Sequence, residues 1–196
     1  MSRAATVSRK TGETDVTVSL QLDGEGAGDR ETGVGFFDHM LDLLARHAQI
    51  DLDVKAIGDL QTGAHHTVED VGIAIGQALD QALSDRTGIT RYGTAVVPMD
   101  EARASCAIDI SGRPYLLFEA QLPIGQIAGF DHELAEEFFR AVSTNSKSTL
   151  HIKVEAHGNV HHVIEACFKA FARALKVAVS IDPRERGVPS TKGTLT

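Results

Sequence analysis

The chain has 196 residues, 42% hydrophobic and 23% charged, with a formal net charge of −8. That composition suits one ordinary globular domain or two small ones with a real core, and the acidic balance excludes a phosphate-backbone binder, which needs a basic face. Two cysteines outside any CxxC pattern, an amino-terminal stretch with no apolar segment and no run of membrane-spanning length predict a reduced, cytoplasmic protein with no nucleic-acid or membrane partner.

In chain order, residues 15–22 alternate polar and apolar side chains and predict a half-buried strand. The glycine-rich stretch 23–29 reads as a hairpin turn into a second strand near 30–32. Residues 36–47 carry Phe37, Leu41 and Leu44 at helical spacing, continued by Ala48. Alternation returns over 51–56, and a loop with Gly58 and Gly63 leads to a helix from His65 to about residue 83. The second half repeats the order: strands at 104–110 and 115–120 joined at Ser111-Gly112-Arg113-Pro114, then a helix at 133–142. A strand at 150–156, a turn at Gly158-Asn159 and a helix to about residue 180 complete it.

A β-β-α-β-α unit is thus written twice, and each copy ends on the same motif. His65-His66-Thr67-Val68-Glu69 returns 96 positions later as His161-His162-Val163-Ile164-Glu165. At that offset Ala74 matches Ala170, Ala78 matches Ala174, Leu79 matches Leu175 and Ala82 matches Ala178, all on one helical stripe. Repeats of this length are duplicated half-domains rather than solenoid units. The expected organisation is one catalytic domain over 1–196, with repeats at about 6–95 and 96–188 and a tail at 189–196.

The repeated motif has the residue types of a metal site. Positions i and i+4 of a helix share a face, so His65 meets Glu69 and His161 meets Glu165. Neutral imidazole and carboxylate are both available as ligands near neutral pH. Adjacent helical residues diverge by about 100°, so each motif grips one ion with its first histidine and glutamate. His66 and His162 then reach toward the ion of the other copy, across a pseudo-twofold axis or between subunits. His39 before the first motif and Glu137 before the second supply one further ligand each. A lone histidine is more often structural, but two matching pairs with glutamate at the same spacing favour metal. His47, His132, His151 and His157 lack such partners and read as structural or surface residues. Ligand softness leans to zinc, with iron, nickel, copper and manganese open.

Eight segments, in order, resemble the imidazoleglycerol-phosphate dehydratase family: residues 9–14, 32–41, 65–70, 88–93, 98–101, 109–114, 161–165 and 189–193. The resemblance implies an α+β fold of the ribosomal protein S5 domain 2-like kind, with four-stranded sheets carrying helices on one face. It also implies a homo-oligomer of about 24 subunits with sites at subunit interfaces, and two manganese ions per site. One ion would be held by His39, His65, Glu69 and His162. The other would be held by His66, His161 and Glu165, with Glu137 where relatives often carry histidine; a glutamate there makes that ion's site more anionic.

Glu13, Glu69 and Glu165 become the implied catalytic carboxylates, Glu13 facing the glycerol hydroxyls. Arg91, Arg113, Ser190 and Lys192 match phosphate ligands, the last two bringing the tail into the site. Lys169, one turn beyond Glu165, points toward the same site. The implied reaction dehydrates imidazole-glycerol phosphate to imidazole-acetol phosphate in histidine biosynthesis. An imidazole bridging two cations becomes more acidic, and its electron-rich ring can expel the neighbouring hydroxyl as water. A carboxylate then takes a C–H proton, and the enol tautomerises. The alternatives are a dinuclear metallohydrolase acting on a small phosphorylated substrate and a metal-storage assembly. The lack of an HxHxD pattern weighs against the first, and Arg91, Arg113 and Lys192 weigh against the second.

Overall fold

Burial alternates along β2 (Thr14–Gln21), where Val16, Val18 and Leu20 point inward, and along β4 (Asp51–Gly58), where Leu52, Val54 and Ala56 do the same. The two strands pair antiparallel with Val18 opposite Val54 and Leu20 opposite Leu52, so one face of the sheet is apolar throughout. The structure is a computed structural model describing residues 2–195.

The first half contains β1 (Ala4–Lys10), β2, β3 (Arg30–Glu31), α1 (Gly35–Ala48), β4 and α2 (His65–Leu83). The second contains β5 (Tyr92–Met99), β6 (Ala102–Asp109), β7 (Tyr115–Glu119), a small hairpin of β8 (Gln126–Ile127) and β9 (Phe130–Asp131), α3 (Leu134–Ser146), β10 (Thr149–Ala156) and α4 (Val160–Val179). Sheet order is β1-β2-β4-β3 in one half and β5-β6-β10-β7 in the other, with β3 and β7 each parallel to its neighbour. The duplication is therefore topological as well as sequential. The matched pairs Ala74/Ala170, Ala78/Ala174, Leu79/Leu175 and Ala82/Ala178 are all buried, as a common core stripe requires.

Each half opens with one strand more than β-β-α-β-α. Both additional strands, β1 and β5, lie at sheet edges. There β1 buries only Val7, and β5 carries Gly93 and Pro98, which edge strands tolerate. The second unit thus begins at Tyr92, inside the stretch assigned to the first repeat. The 23–29 segment is a crossover rather than a hairpin, because β3 pairs with β4 and not with β2. Asp51 accepts the amides of Glu25 and Ala27, and Asp53 that of Asp29, which guides the chain past β4. Likewise β6 and β7 are not neighbours; both flank β10.

The halves interlock through their helices. α2 covers β1, β2 and β4, and α4 covers β5, β6 and β10. Across the middle, α3 docks on α2 and α1 docks on α4, giving one continuous core. α2 approaches α3 so closely that a Cβ on Gly72 would meet Ala141 Cβ at 2.8 Å, and one on Gly76 would meet Asn145 Cβ at 2.7 Å. The positions 96 residues later are Phe168 and Ala172, and buried Phe168 packs on Phe138 and Phe139 with centroids 5.1 and 4.8 Å away. The β8–β9 hairpin turns through Ala128 and Gly129, both at positive φ. It seats Phe130 against Phe36 and Phe37 at the start of α1. Among the described residues no helix is long and apolar enough to cross a membrane.

Candidate metal centre

α4 begins at its motif because Asn159 caps it, its side-chain oxygen accepting the His161 amide at 2.9 Å. His161 and Glu165 then share a face, with Nε2 and Oε2 3.1 Å apart. Phe36 meets the His161 ring edge-on at 5.0 Å, which brings the start of α1 beside the start of α4. One turn into α1, His39 places Nε2 3.6 Å from the same Oε2. The ligand atoms of His39, His161 and Glu165 all lie within 4.8 Å of one another. Glu165 is 7% exposed, and its other oxygen takes Lys169 Nζ at 2.6 Å. Burial pushes the Glu165 carboxyl up, but the Lys169 bond and charge and the two imidazoles outweigh it and hold the pKa below the ordinary carboxylate value. An ionised carboxylate with one oxygen anchored and the other between two imidazole nitrogens fits a divalent cation.

In the first half, His65 Nε2 stands 3.8 Å from Glu69 Oε2, both side chains about half exposed. The second histidine of each motif is held differently. His66 Nδ1 lies 3.0 Å from Asp59 Oδ2, with Nε2 3.7 Å from Glu13 Oε1. His162 Nδ1 lies 2.9 Å from Glu101 Oε2, with Nε2 3.9 Å from Asp100 Oδ2. These carboxylates raise the pKa of both imidazoles, Asp59 for His66 and Glu101 for His162. The Asn159 amide, then the His162 imidazole, hold Glu101 down at about 2. Glu13 is placed by a buried network: Asp70 on α2 accepts Arg9 Nε at 2.8 Å and the Thr14 hydroxyl, pinning the β1–β2 turn beside His66.

Glu137 lies in the first turn of α3, its nearest ionic partner Arg140 at 4.0 Å, and among the described residues it joins no ligand triplet. α2 and α3 run parallel, since Gly72 meets Phe138 and Ala141 while Gly76 meets Val142 and Asn145. One turn back, Glu69 comes level with the start of α3. The geometry therefore groups His39 with His161 and Glu165, and the repeat relation groups Glu137 with His65 and Glu69. The resemblance implied the reverse assignment of His39 and Glu137. The cause is the exchange of partners in the core, each half's first helix docking on the other half's last.

The cations expected at the phosphate gather elsewhere. Arg91 donates Nε and Nη2 to Asp109 at 2.7 and 3.1 Å and Nη1 to the Pro189 carbonyl at 2.8 Å, which ties the tail to the start of β5. Arg113 stands in the turn after β6, its amide on Ser111 Oγ at 3.1 Å, and Lys192 donates its amide to Ser190 Oγ at 3.2 Å. This is the opposite end of β5 from Glu101 and His162. The 8-residue strand separates the two ends by roughly 23 Å at about 3.3 Å per residue.

Sequence reading missed Asp59, Asp100, Glu101 and Asp109. For Glu101 a signal existed: it immediately precedes β6 as Glu13 precedes β2.

Fold and site together define an internally duplicated α+β enzyme with histidine–carboxylate centres able to hold metal. The family model for imidazoleglycerol-phosphate dehydratase matches residues 32–175. The chain is 60% identical to the imidazoleglycerol-phosphate dehydratase of Symbiobacterium thermophilum over 98% of this chain and 93% of the relative. It is 57% identical to that of Acetivibrio thermocellus over 100% of both chains. The Staphylococcus aureus N315 enzyme structure superposes with a TM-score of 0.83 at 44% identity, covering 91% of this chain and 99% of that one. The Pyrococcus furiosus enzyme, solved in complex with (S)-C348, gives 0.83 at 35% identity, covering 96% and 100%. The chain belongs to the imidazoleglycerol-phosphate dehydratase family. It is a hydro-lyase whose reaction fits histidine biosynthesis, which sets aside the hydrolase and storage readings.

Proposed function

We propose that this chain converts D-erythro-imidazole-glycerol phosphate to imidazole-acetol phosphate with the substrate's imidazole bound at two manganese ions, as a cytoplasmic homo-oligomer of about 24 subunits. The observation that carries the reading is the seating of Glu165 Oε2 between His161 and His39, at 3.1 and 3.6 Å. One ion suits His39, His161 and Glu165, and its twin suits His65, Glu69 and Glu137, with His66 and His162 closing each set from another copy. The ions, when bound, would supply Lewis acidity that makes the N–H of the substrate's imidazole more acidic.

The chain's own groups do the rest. Glu13, whose side chain is 57% exposed with its carboxylate 3.7 Å from His66 Nε2, is assigned to the glycerol hydroxyls and moves a proton there. That proton comes from the carbon or goes to the leaving hydroxyl, so that water is the sole by-product. Lys169 keeps Glu165 ionised. Arg91 has five N–H groups, of which Asp109 and Pro189 take three, and the remaining two, with Arg113, Ser190 and Lys192, meet the phosphate. The roughly 23 Å between the cationic and imidazole ends of the second sheet exceeds the reach of so small a substrate. One copy's cations therefore serve another copy's ions, which supports sites at subunit interfaces.

The test is to strip the purified oligomer with a chelator, reload it with manganese and follow ketone formation from imidazole-glycerol phosphate. Turnover that vanishes on stripping and returns with manganese is expected; an intact, manganese-loaded oligomer that leaves the substrate unchanged overturns the reading.

A further inference from the structure

The geometry points to Asp59 and Glu101 as positioning residues that fix the second histidine of each motif with Nδ1 protonated, leaving Nε2 to bind an ion; the inference rests on the two-ion reading above. Duplication produced twin glutamates, Glu13 and Glu101, each in the turn before its half's second strand. In the second half both Glu101 oxygens turn to the start of α4. Oε1 accepts the Asn159 amide at 2.6 Å and Oε2 meets His162 Nδ1 at 2.9 Å. Gly158 makes room for it, since a Cβ there would sit 2.2 Å from Glu101 Cγ.

In the first half that task falls to Asp59, directly after β4. It spans His66 Nδ1 with oxygens at 3.2 and 3.0 Å and is itself held by the Thr62 hydroxyl at 3.0 Å. The residue directly after β10 is His157, which brings no carboxylate. Asp59 therefore releases Glu13 from holding a histidine, and only one of the twins remains available to the substrate. A ligating imidazole whose other nitrogen donates to a carboxylate has a fixed tautomer and ring plane, and loss of such a partner weakens metal affinity about 10–100-fold.

The acceptor requirements separate conservative variants. Glu101 faces two N–H donors, so Glu101→Gln sets an amide NH2 against one of them. Asp59 faces one N–H and a hydroxyl that can also accept, so Asp59→Asn keeps both contacts.

The experiment titrates manganese into metal-free intact oligomer and reads unbound Mn²⁺ by electron paramagnetic resonance. Wild type is expected to fill two sites per subunit. Glu101→Gln and Asp59→Ala each weaken one class of site about 10–100-fold and leave the other class and the oligomer unchanged, while Asp59→Asn titrates as wild type. Two full-affinity sites in both Glu101→Gln and Asp59→Ala overturn the positioning role, as does equal loss of both classes. Wild type that binds no manganese instead overturns the two-ion reading beneath it.

Discussion

The two halves of this chain share one topology and diverge in what they expose and how their histidine–carboxylate groups are held. On the outer face of the first sheet, Ser8, Thr17 and Lys55 form one row and Thr6, Ser19 and Asp53 the next, so that face is hydrated. On the second, Tyr92, Asp109, Thr149 and Tyr115 align, followed by Thr94, Ala107, His151 and Leu117. Tyr92, Val96 and Tyr115 are each more than half exposed. The outer face of the second sheet is thus the more aromatic of the two. The site diverges in the same way. Glu165 is buried and tied to Lys169, whereas its twin Glu69 is 45% exposed and the position equivalent to Lys169 is Ile73. Duplication sets the geometry of the histidine–glutamate pairs, and each half's neighbours set how deeply the glutamate is buried.

Equivalent positions with opposite packing offer the largest test of that divergence. Phe168→Ala empties a core site and should cost about 3–5 kcal/mol in urea unfolding; a cost below that of Gly72→Ala would break the contrast. Next, Lys169→Met leaves the buried Glu165 without its partner and should cost about 2–3 kcal/mol in metal-free protein. Glu69→Gln, at the exposed twin, should stay within about 0.5 kcal/mol, and equal costs would erase the distinction. Between these two, Gly72→Ala should cost about 1–2 kcal/mol by forcing α2 from α3, read from the thermal midpoint.

The last difference is a pH effect. The Ala27 amide, then that of Glu25, hold the Asp51 carboxyl below its ordinary 3.8. Its stabilisation is complete above that value and is lost as pH falls through the lowered pKa. The corresponding residue before β10's apolar run is Thr149, so the second half has no carboxylate at this place. Asp51→Asn should flatten the fall of the melting temperature below about pH 4; an unchanged acid limb would remove Asp51 from the crossover's support.

Much of this was legible in the sequence where one face of an element is buried and the other wet. The alternation of β2 and β4 and the helical stripes of α2 and α4 follow from that condition. The edge strands β1 and β5 meet a neighbour on one side only, so their patterns are weak. The crossover at 23–29 was unreadable because its order comes from carboxylates of a strand further along the chain. The two His-His-x-x-Glu motifs announced the candidate metal centre through identity at one offset. Glu101 and its twin relation to Glu13 escaped because their spacing is 88, not the 96 of the motifs. The second half carries a longer connection between its sheet and α3, and a single offset cannot span it. Which helix docks on which is a tertiary choice, so the grouping of His39 with His161 appeared only in three dimensions.

The central claim is that an active site draws its ions' ligands and its phosphate cations from different copies of the chain. His162→Ala removes a proposed ion ligand and Arg113→Ala a proposed phosphate cation, from opposite ends of the second sheet, and each alone should be inactive. Oligomers assembled from a mixture of the two variants should recover turnover that neither shows alone, because some sites then combine an intact His162 with an intact Arg113. Mixed oligomers, verified as mixed, that remain as inactive as their parents would contradict the account.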